Sequence, residues 1–165
     1  MTDFLNVTLT KEQLSTVSEL ALAHVGDAVF ELLVRTELCS AGSAKVKELH
    51  ARTVAQVTAP AQAAFVEALL PRLSEEETAV YKRGRNAHSH QAPKSASPGQ
   101  YARATGLETL FGWLWLTGQK ERVSELYALG RGSQGPVPTS ALPDACSETL
   151  RRRERNAERK MQNAK

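Results

Sequence analysis

The sequence contains little cysteine, no long apolar run and, over its first third, no proline. Its two cysteines, Cys39 and Cys146, lie far apart in a chain of 165 residues. This separation argues against a disulfide scaffold, and the lack of any CxxC or Cys/His spacing argues against a zinc site. No window approaches the roughly 18 uninterrupted apolar residues that a membrane span requires, and no apolar signal segment begins the chain. We therefore expect a cytoplasmic protein with no membrane partner.

Helical periodicity dominates the sequence. Proline is absent from the first 59 residues, and apolar residues recur there at helical intervals, with Pro60 and Pro71 as breaks further on. A capping-box sequence at Ser74 and Glu77 predicts a helix start. The predicted helices cover residues 18–39, 44–57, 61–70, 74–88, 101–117 and 120–129. Because no alternating β pattern and no internal repeat accompanies them, the predicted fold class is all-α.

One globular domain is expected, followed by a tail. A length of 165 residues with 41% hydrophobic content suits a single core. Residues 89–100 are rich in proline, glycine and small polar residues and are predicted to form a mobile loop. The periodic pattern ends near Gly130, so residues 1–130 form the predicted domain and residues 131–165 a flexible linker with a basic tail.

Basic residues are concentrated in the second half of the chain. Residues 1–81 carry 6 basic and 11 acidic side chains, whereas residues 82–165 carry 15 and 7. No Asp or Glu occurs between Glu77 and Glu108, an interval that contains Lys82, Arg83, Arg85, Lys94 and Arg103. Such a one-sided stretch is typical of a surface that binds phosphates, although a solvated loop in a basic protein has the same composition.

Two lone carboxylates interrupt the most apolar helical stretches, Asp27 in ALAHVGDAVF and Glu108 in TGLETLFGWLWLTG. A charge on a packed face is costly unless it is paired or ligated. Asp27 could pair with Arg35 or Arg103, and Glu108 could belong to a capping box that begins at Thr105. Alternatively, the two helices pack together and both carboxylates hold one divalent cation. His24, one turn before Asp27, could orient it or be an ordinary surface residue.

Three blocks of the sequence resemble the Mini-ribonuclease III family, the short branch of the ribonuclease III enzymes. The blocks are LALAHVGDAVFELLVR, KRGRNAHSHQAPK and YARATGLETLFGWLWLTGQKER, and the resemblance extends over residues 12–130. It implies the all-α ribonuclease III endonuclease fold, a homodimer, a requirement for Mg²⁺ and no separate double-stranded-RNA-binding domain. It also implies a role in maturing the large-subunit (23S) ribosomal RNA precursor. Whether ribosomal proteins assist is left open.

The resemblance assigns the metal-binding catalytic carboxylates of the family to Asp27 and Glu108. Larger ribonuclease III enzymes carry a further carboxylate one turn before each ligand. This chain has Ala23 and Thr105 at those places, as the short branch does, so we expect loose metal binding.

The implied activity is Mg²⁺-dependent cleavage of double-stranded RNA that leaves 5′-phosphate and 3′-hydroxyl ends. Lys82, Arg83, Arg85 and Lys94 are the predicted RNA-binding residues. A non-catalytic helical RNA- or ribosome-binding protein on the same fold is the alternative. The apolar surplus of residues 105–118 independently predicts a homodimer, since one face of a helix in a small monomer does not bury so many apolar side chains.

Overall fold

The computed structural model describes residues 3–41, 44–87 and 96–134. Helices make up most of this part of the chain, and the all-α fold class is confirmed. They are α1 (Lys11–Ser15), α2 (Glu19–Ser40), α3 (Val46–Val57), α4 (Ala59–Leu69), α5 (Glu75–Asn86), α6 (Pro98–Leu116) and α7 (Lys120–Gln134), with a 3₁₀ turn at Leu70–Arg72. None of the described helices is long and apolar enough to cross a membrane.

The predicted helix starts follow their local sequence signals. Ser74 and Glu77 form the capping box expected at the start of α5, in which Ser74 accepts a hydrogen bond from the Glu77 main-chain N–H. Pro60 lies in the first turn of α4. Main-chain N–H groups in the first turn have no partner within the helix, so a proline there costs no hydrogen bond. α1 was not predicted, because its five residues are too few to show a periodic pattern.

Two predicted boundaries are wrong by three residues or more. α6 begins at Pro98 rather than Tyr101, because Ser97 and Gln100 form a capping box at 3.2 and 3.0 Å. The last three residues of the predicted loop are therefore helical. α7 continues past Gly130 to Gln134, and Arg131 within this extension forms an ion pair with Glu37 at 2.8 Å.

Helix α6 lies at the centre of the fold, packed against α2, α4, α5 and α7. Its fully enclosed side chains are Leu107, Leu110, Phe111 and Leu114. Most of the apolar surplus that predicted a homodimer is therefore buried within one chain, because neighbouring helices cover α6 on several sides, whereas Trp115 and Leu116 are only partly buried. The apolar content of α6 is thus weaker support for a dimer than the sequence suggested.

Aromatic rings fill the core between α2, α4, α6 and α7. Phe30 makes edge-to-face contacts with Phe65, Phe111 and Tyr127, with ring centroids 5.1–5.9 Å apart. The Tyr127 hydroxyl donates a hydrogen bond of 2.5 Å to the carboxylate of Glu37. These contacts fix α2 relative to the helices around it, and α2 carries Asp27.

Candidate active site

The main chains of α2 and α6 touch where the two helices cross. A Cβ atom added to Gly26 would lie 1.7 Å from the carbonyl oxygen of Glu108, and one added to Gly112 would lie 2.0 Å from that of Leu22. Only glycine permits so close an approach. Asp27 follows Gly26 directly, so the crossing brings its carboxylate near that of Glu108.

Both carboxylates have raised pKa values. Burial raises the pKa of Glu108 to about 8, and the nearby negative charge of Asp27 adds to the shift. Burial also raises the pKa of Asp27, as does the charge of Glu31, while His24 opposes the change. Asp27 is exposed, whereas Glu108 is only partly exposed. Two partly desolvated like charges at one place favour a bound cation.

The structural alternatives for the two carboxylates do not hold. Arg35 pairs with Glu31 one turn away on α2, and Arg103 pairs with Glu67 at 3.5 Å. The ion pairs of these two arginines therefore involve neither Asp27 nor Glu108. Thr105 is in the interior of α6 and donates its hydroxyl to the carbonyl oxygen of Tyr101 at 3.1 Å. Glu108 is therefore not part of a capping box.

The donor set suits a hard divalent cation. Carboxylate oxygens are the ligands that Mg²⁺ prefers, and Mg²⁺ commonly binds through one or two carboxylates and keeps several waters. Within the described residues, no group of three or more His, Cys, Asp or Glu side chains is arranged to hold a metal. Ala23 and Thr105, at the places where larger relatives carry acids, are both buried. Asp27 and Glu108 are thus the candidate protein ligands.

Gln62 on α4 is a site residue that the sequence analysis missed. Its side chain is buried, and its amide acts on both carboxylates, lowering the pKa of Asp27 and of Glu108. Its register on α4 was a possible signal, because Gln62 shares the core-facing side of the helix with Phe65, Val66 and Leu69. A polar residue at such a position points to a specific role.

The predicted RNA-binding residues lie on a different helix. Lys82, Arg83 and Arg85 are exposed near the end of α5. Arg83 contacts Glu19 at the start of α2 at 3.1 Å. Lys94 lies outside the described residues, as does the tail after residue 134.

His24 is exposed and faces an apolar cleft instead of a buried metal site. The cleft has a volume of about 350 Å³, and His24, Val25, Ala28, Val29, Leu32 and Trp115 line it. Leu32 is 53% exposed, so this face of α2 leaves apolar area uncovered. The cleft begins one residue away from Asp27.

Comparisons with known proteins place most of this chain within one family. The profile of the family described as Ribonuclease III domain matches residues 20–119. The chain is similar to the Mini-ribonuclease 3 of Symbiobacterium thermophilum, with 49% identity over 67% of this chain and 85% of the relative. Its identity to the Mini-ribonuclease 3 of Enterococcus faecalis is 50% over 65% of this chain and 83% of the relative. A crystal structure of a Fusobacterium nucleatum protein matches with a TM-score of 0.64 and 28% identity, over 70% of this chain and 93% of that one.

Proposed function

Since this chain belongs to the ribonuclease III family and is an endoribonuclease, we propose that it cleaves double-stranded RNA with Mg²⁺ held by Asp27 and Glu108. The observation that carries the proposal is the α2–α6 crossing, where Gly26 brings the two helices into main-chain contact beside both carboxylates. Among the residues that the structure describes, no arginine pairs with either carboxylate. Family membership also disfavours the alternative of a non-catalytic binding protein.

The two carboxylates have different tasks in this scheme. Asp27 is the more exposed of the two, so it is the group that a cation would meet first, whereas burial raises the pKa of Glu108 to about 8 and keeps a proton on it near neutral pH. A bound cation would favour the ionised form of the Glu108 carboxylate. When bound, Mg²⁺ would polarise a phosphate oxygen, activate a water molecule and stabilise the leaving 3′ oxygen. The expected products carry 5′-phosphate and 3′-hydroxyl ends.

The basic residues of α5 are proposed to hold the RNA backbone. A-form duplexes are recognised mainly through shape, phosphates and 2′-hydroxyls, and Lys82, Arg83 and Arg85 are all exposed for such contacts. α5 packs against α6, the helix that carries Glu108. Lys94 is included on sequence grounds. The proposed natural substrate is the precursor of large-subunit (23S) ribosomal RNA, in the cytoplasm.

A homodimer is part of the same proposal. Its support is the apolar cleft on α2, where Leu32 is 53% exposed and Trp115 contributes to the lining. A second copy of the chain would cover this face and bring a second carboxylate pair to the opposite RNA strand. Sedimentation that shows only an 18.0 kDa species at micromolar concentration would rule it out.

Incubation with duplex RNA tests the proposed activity. The protein should cut a duplex of about 30 base pairs when Mg²⁺ is present and leave it intact when the ion is removed by EDTA. Single-stranded RNA of the same sequence is the matched control and should persist. Cleavage without any divalent ion, or preference for the single strand, would contradict the proposal.

A further inference from the structure

One polar side chain lies on the apolar face of α4. Gln62 is 1% exposed, and its neighbours on this side of the helix, Phe65, Val66 and Leu69, are 0–1% exposed. A glutamine costs more free energy at such a position than a methionine of similar length, because its amide loses water on burial. Packing alone therefore does not account for Gln62.

The amide of Gln62 has no complete hydrogen bond. Both its Nε2 and its Oε1 are enclosed, and neither meets the distance and angle criteria of a hydrogen bond with any described group. Buried polar atoms without a partner are rare in native proteins, and each one calls for an explanation. Here the explanation lies in what the amide faces.

Gln62 faces the two carboxylates of the α2–α6 crossing. Phe65, one turn further along α4, packs edge to face on Phe30, one turn after Asp27, with ring centroids 5.1 Å apart, and α4 also packs against α6, which carries Glu108. The amide lies near enough to both carboxylates to lower the pKa of each. A primary amide has two N–H groups on one nitrogen, so it is able to serve two acceptors at once.

We propose that Gln62 is a positioning residue, whose amide holds the carboxylates of Asp27 and Glu108 together in the orientation that receives a divalent cation. Without it, the two carboxyl groups are free to turn away from each other. The incomplete hydrogen bonds leave the carboxylates room to move onto the cation. This inference rests on the metal-binding role proposed above.

The chain contains a matched control. Gln56 on α3 is also buried, at 7% exposure, and its Oε1 also lacks a partner. Its Nε2, however, donates to the carbonyl oxygen of Arg52 in its own helix at 3.3 Å. Gln62→Met and Gln56→Met thus remove the same buried amide at two places, of which only one faces the carboxylates.

Mn²⁺ binding to the full-length protein without RNA is the test. Mn²⁺ accepts the same oxygen ligands as Mg²⁺, and electron paramagnetic resonance measures its free concentration. Gln62→Met should weaken Mn²⁺ binding by roughly tenfold, as loss of a group that orients metal ligands does. It should also raise the Mg²⁺ concentration needed for half-maximal cleavage. Its melting temperature without metal should not fall, and Gln56→Met should bind Mn²⁺ like the wild type.

Gln62→Asn is a second variant in case Gln62→Met does not fold. It keeps a buried amide, but its shorter side chain places that amide further from the carboxylates. It too should bind Mn²⁺ more weakly than the wild type. Wild-type affinity in both Gln62 variants, or equal losses at Gln62 and Gln56, would overturn the inference while leaving the proposed metal site intact. If the wild type itself does not bind Mn²⁺, both proposals fail.

Discussion

A Cβ atom on Gly26 would lie 1.7 Å from the main-chain carbonyl oxygen of Glu108. No side chain fits in that space, so α2 and α6 meet through their backbones at this level. Asp27 and Glu108 are on opposite helices and 81 positions apart in the sequence. The glycine is therefore what lets the helices that carry these two residues meet so closely.

Gly26→Ala should separate the two helices. The new methyl group collides with main-chain atoms, which have no alternative rotamer, so we expect a loss of about 3 kcal/mol in the free energy of unfolding. Urea denaturation measures this loss. Gly99→Ala is the control, because nothing lies within 4 Å of its Cβ, and its stability should change little. A Gly26→Ala protein of wild-type stability would show that the helices do not meet as described.

Asp27→Asn and Glu108→Gln should separate catalysis from folding. Each change removes a charge that Mg²⁺ needs while keeping the shape of the side chain, so cleavage should fall at least a hundredfold. Thermal stability without metal should be unchanged or higher, because each change also relieves repulsion between like charges. The exposed Glu121→Gln is a control with full activity. Near wild-type cleavage by either variant at low Mg²⁺ would exclude that residue as a ligand.

The raised pKa of Glu108 predicts a pH dependence of stability. Between its ordinary value of 4.5 and its folded value of about 8, the native state holds a proton that the unfolded chain has released. The free energy of unfolding of the metal-free protein should therefore decrease as pH rises through this window and level off above it. Glu108→Gln lacks this contribution, so its stability relative to the wild type should rise from pH 5 to pH 8. Parallel curves for the two proteins would contradict the shift.

Replacing Arg83 and Arg85 by alanine should weaken binding to many duplex sequences alike. Each lost phosphate contact should reduce the slope of log affinity against log salt by roughly 0.7 to 0.9, while the positions of the cuts stay the same. Filter binding over a salt series measures the slope.

Removal of the tail is the comparison for these arginines. The truncation belongs after Gln134, because Arg131 is helical and paired with Glu37. We expect the truncation to change the slope less than the paired substitution does. A larger effect of the truncation would make the basic tail the principal RNA contact.

Local signals in the sequence determined most helices of this protein. Apolar residues at helical spacing predicted α2, and a capping box predicted α5, each to within two residues, because side-chain period and capping act between neighbours in the chain. The start of α6 was predicted three residues late, since Pro98 and Gly99 are common both in loops and in the first turn of a helix. The sequence placed the end of the last helix near Gly130, because a linker glycine and a glycine that packs against a side chain look alike in a sequence. In the structure Gly130 lies within α7 and packs against Phe65.

The site was determined in part by sequence and in part by tertiary structure. The sequence singled out Asp27 and Glu108 because a charge within an apolar helix is unusual, but it left ion pairs and a capping box as alternatives. Only the packed structure removed them, by giving Arg35 and Arg103 other partners. The register of Gln62 on α4 was a possible signal in the sequence, but only the packed structure places this residue near the two carboxylates. Contacts between residues far apart in the chain are set by how helices pack, and helix packing is a property of the folded molecule.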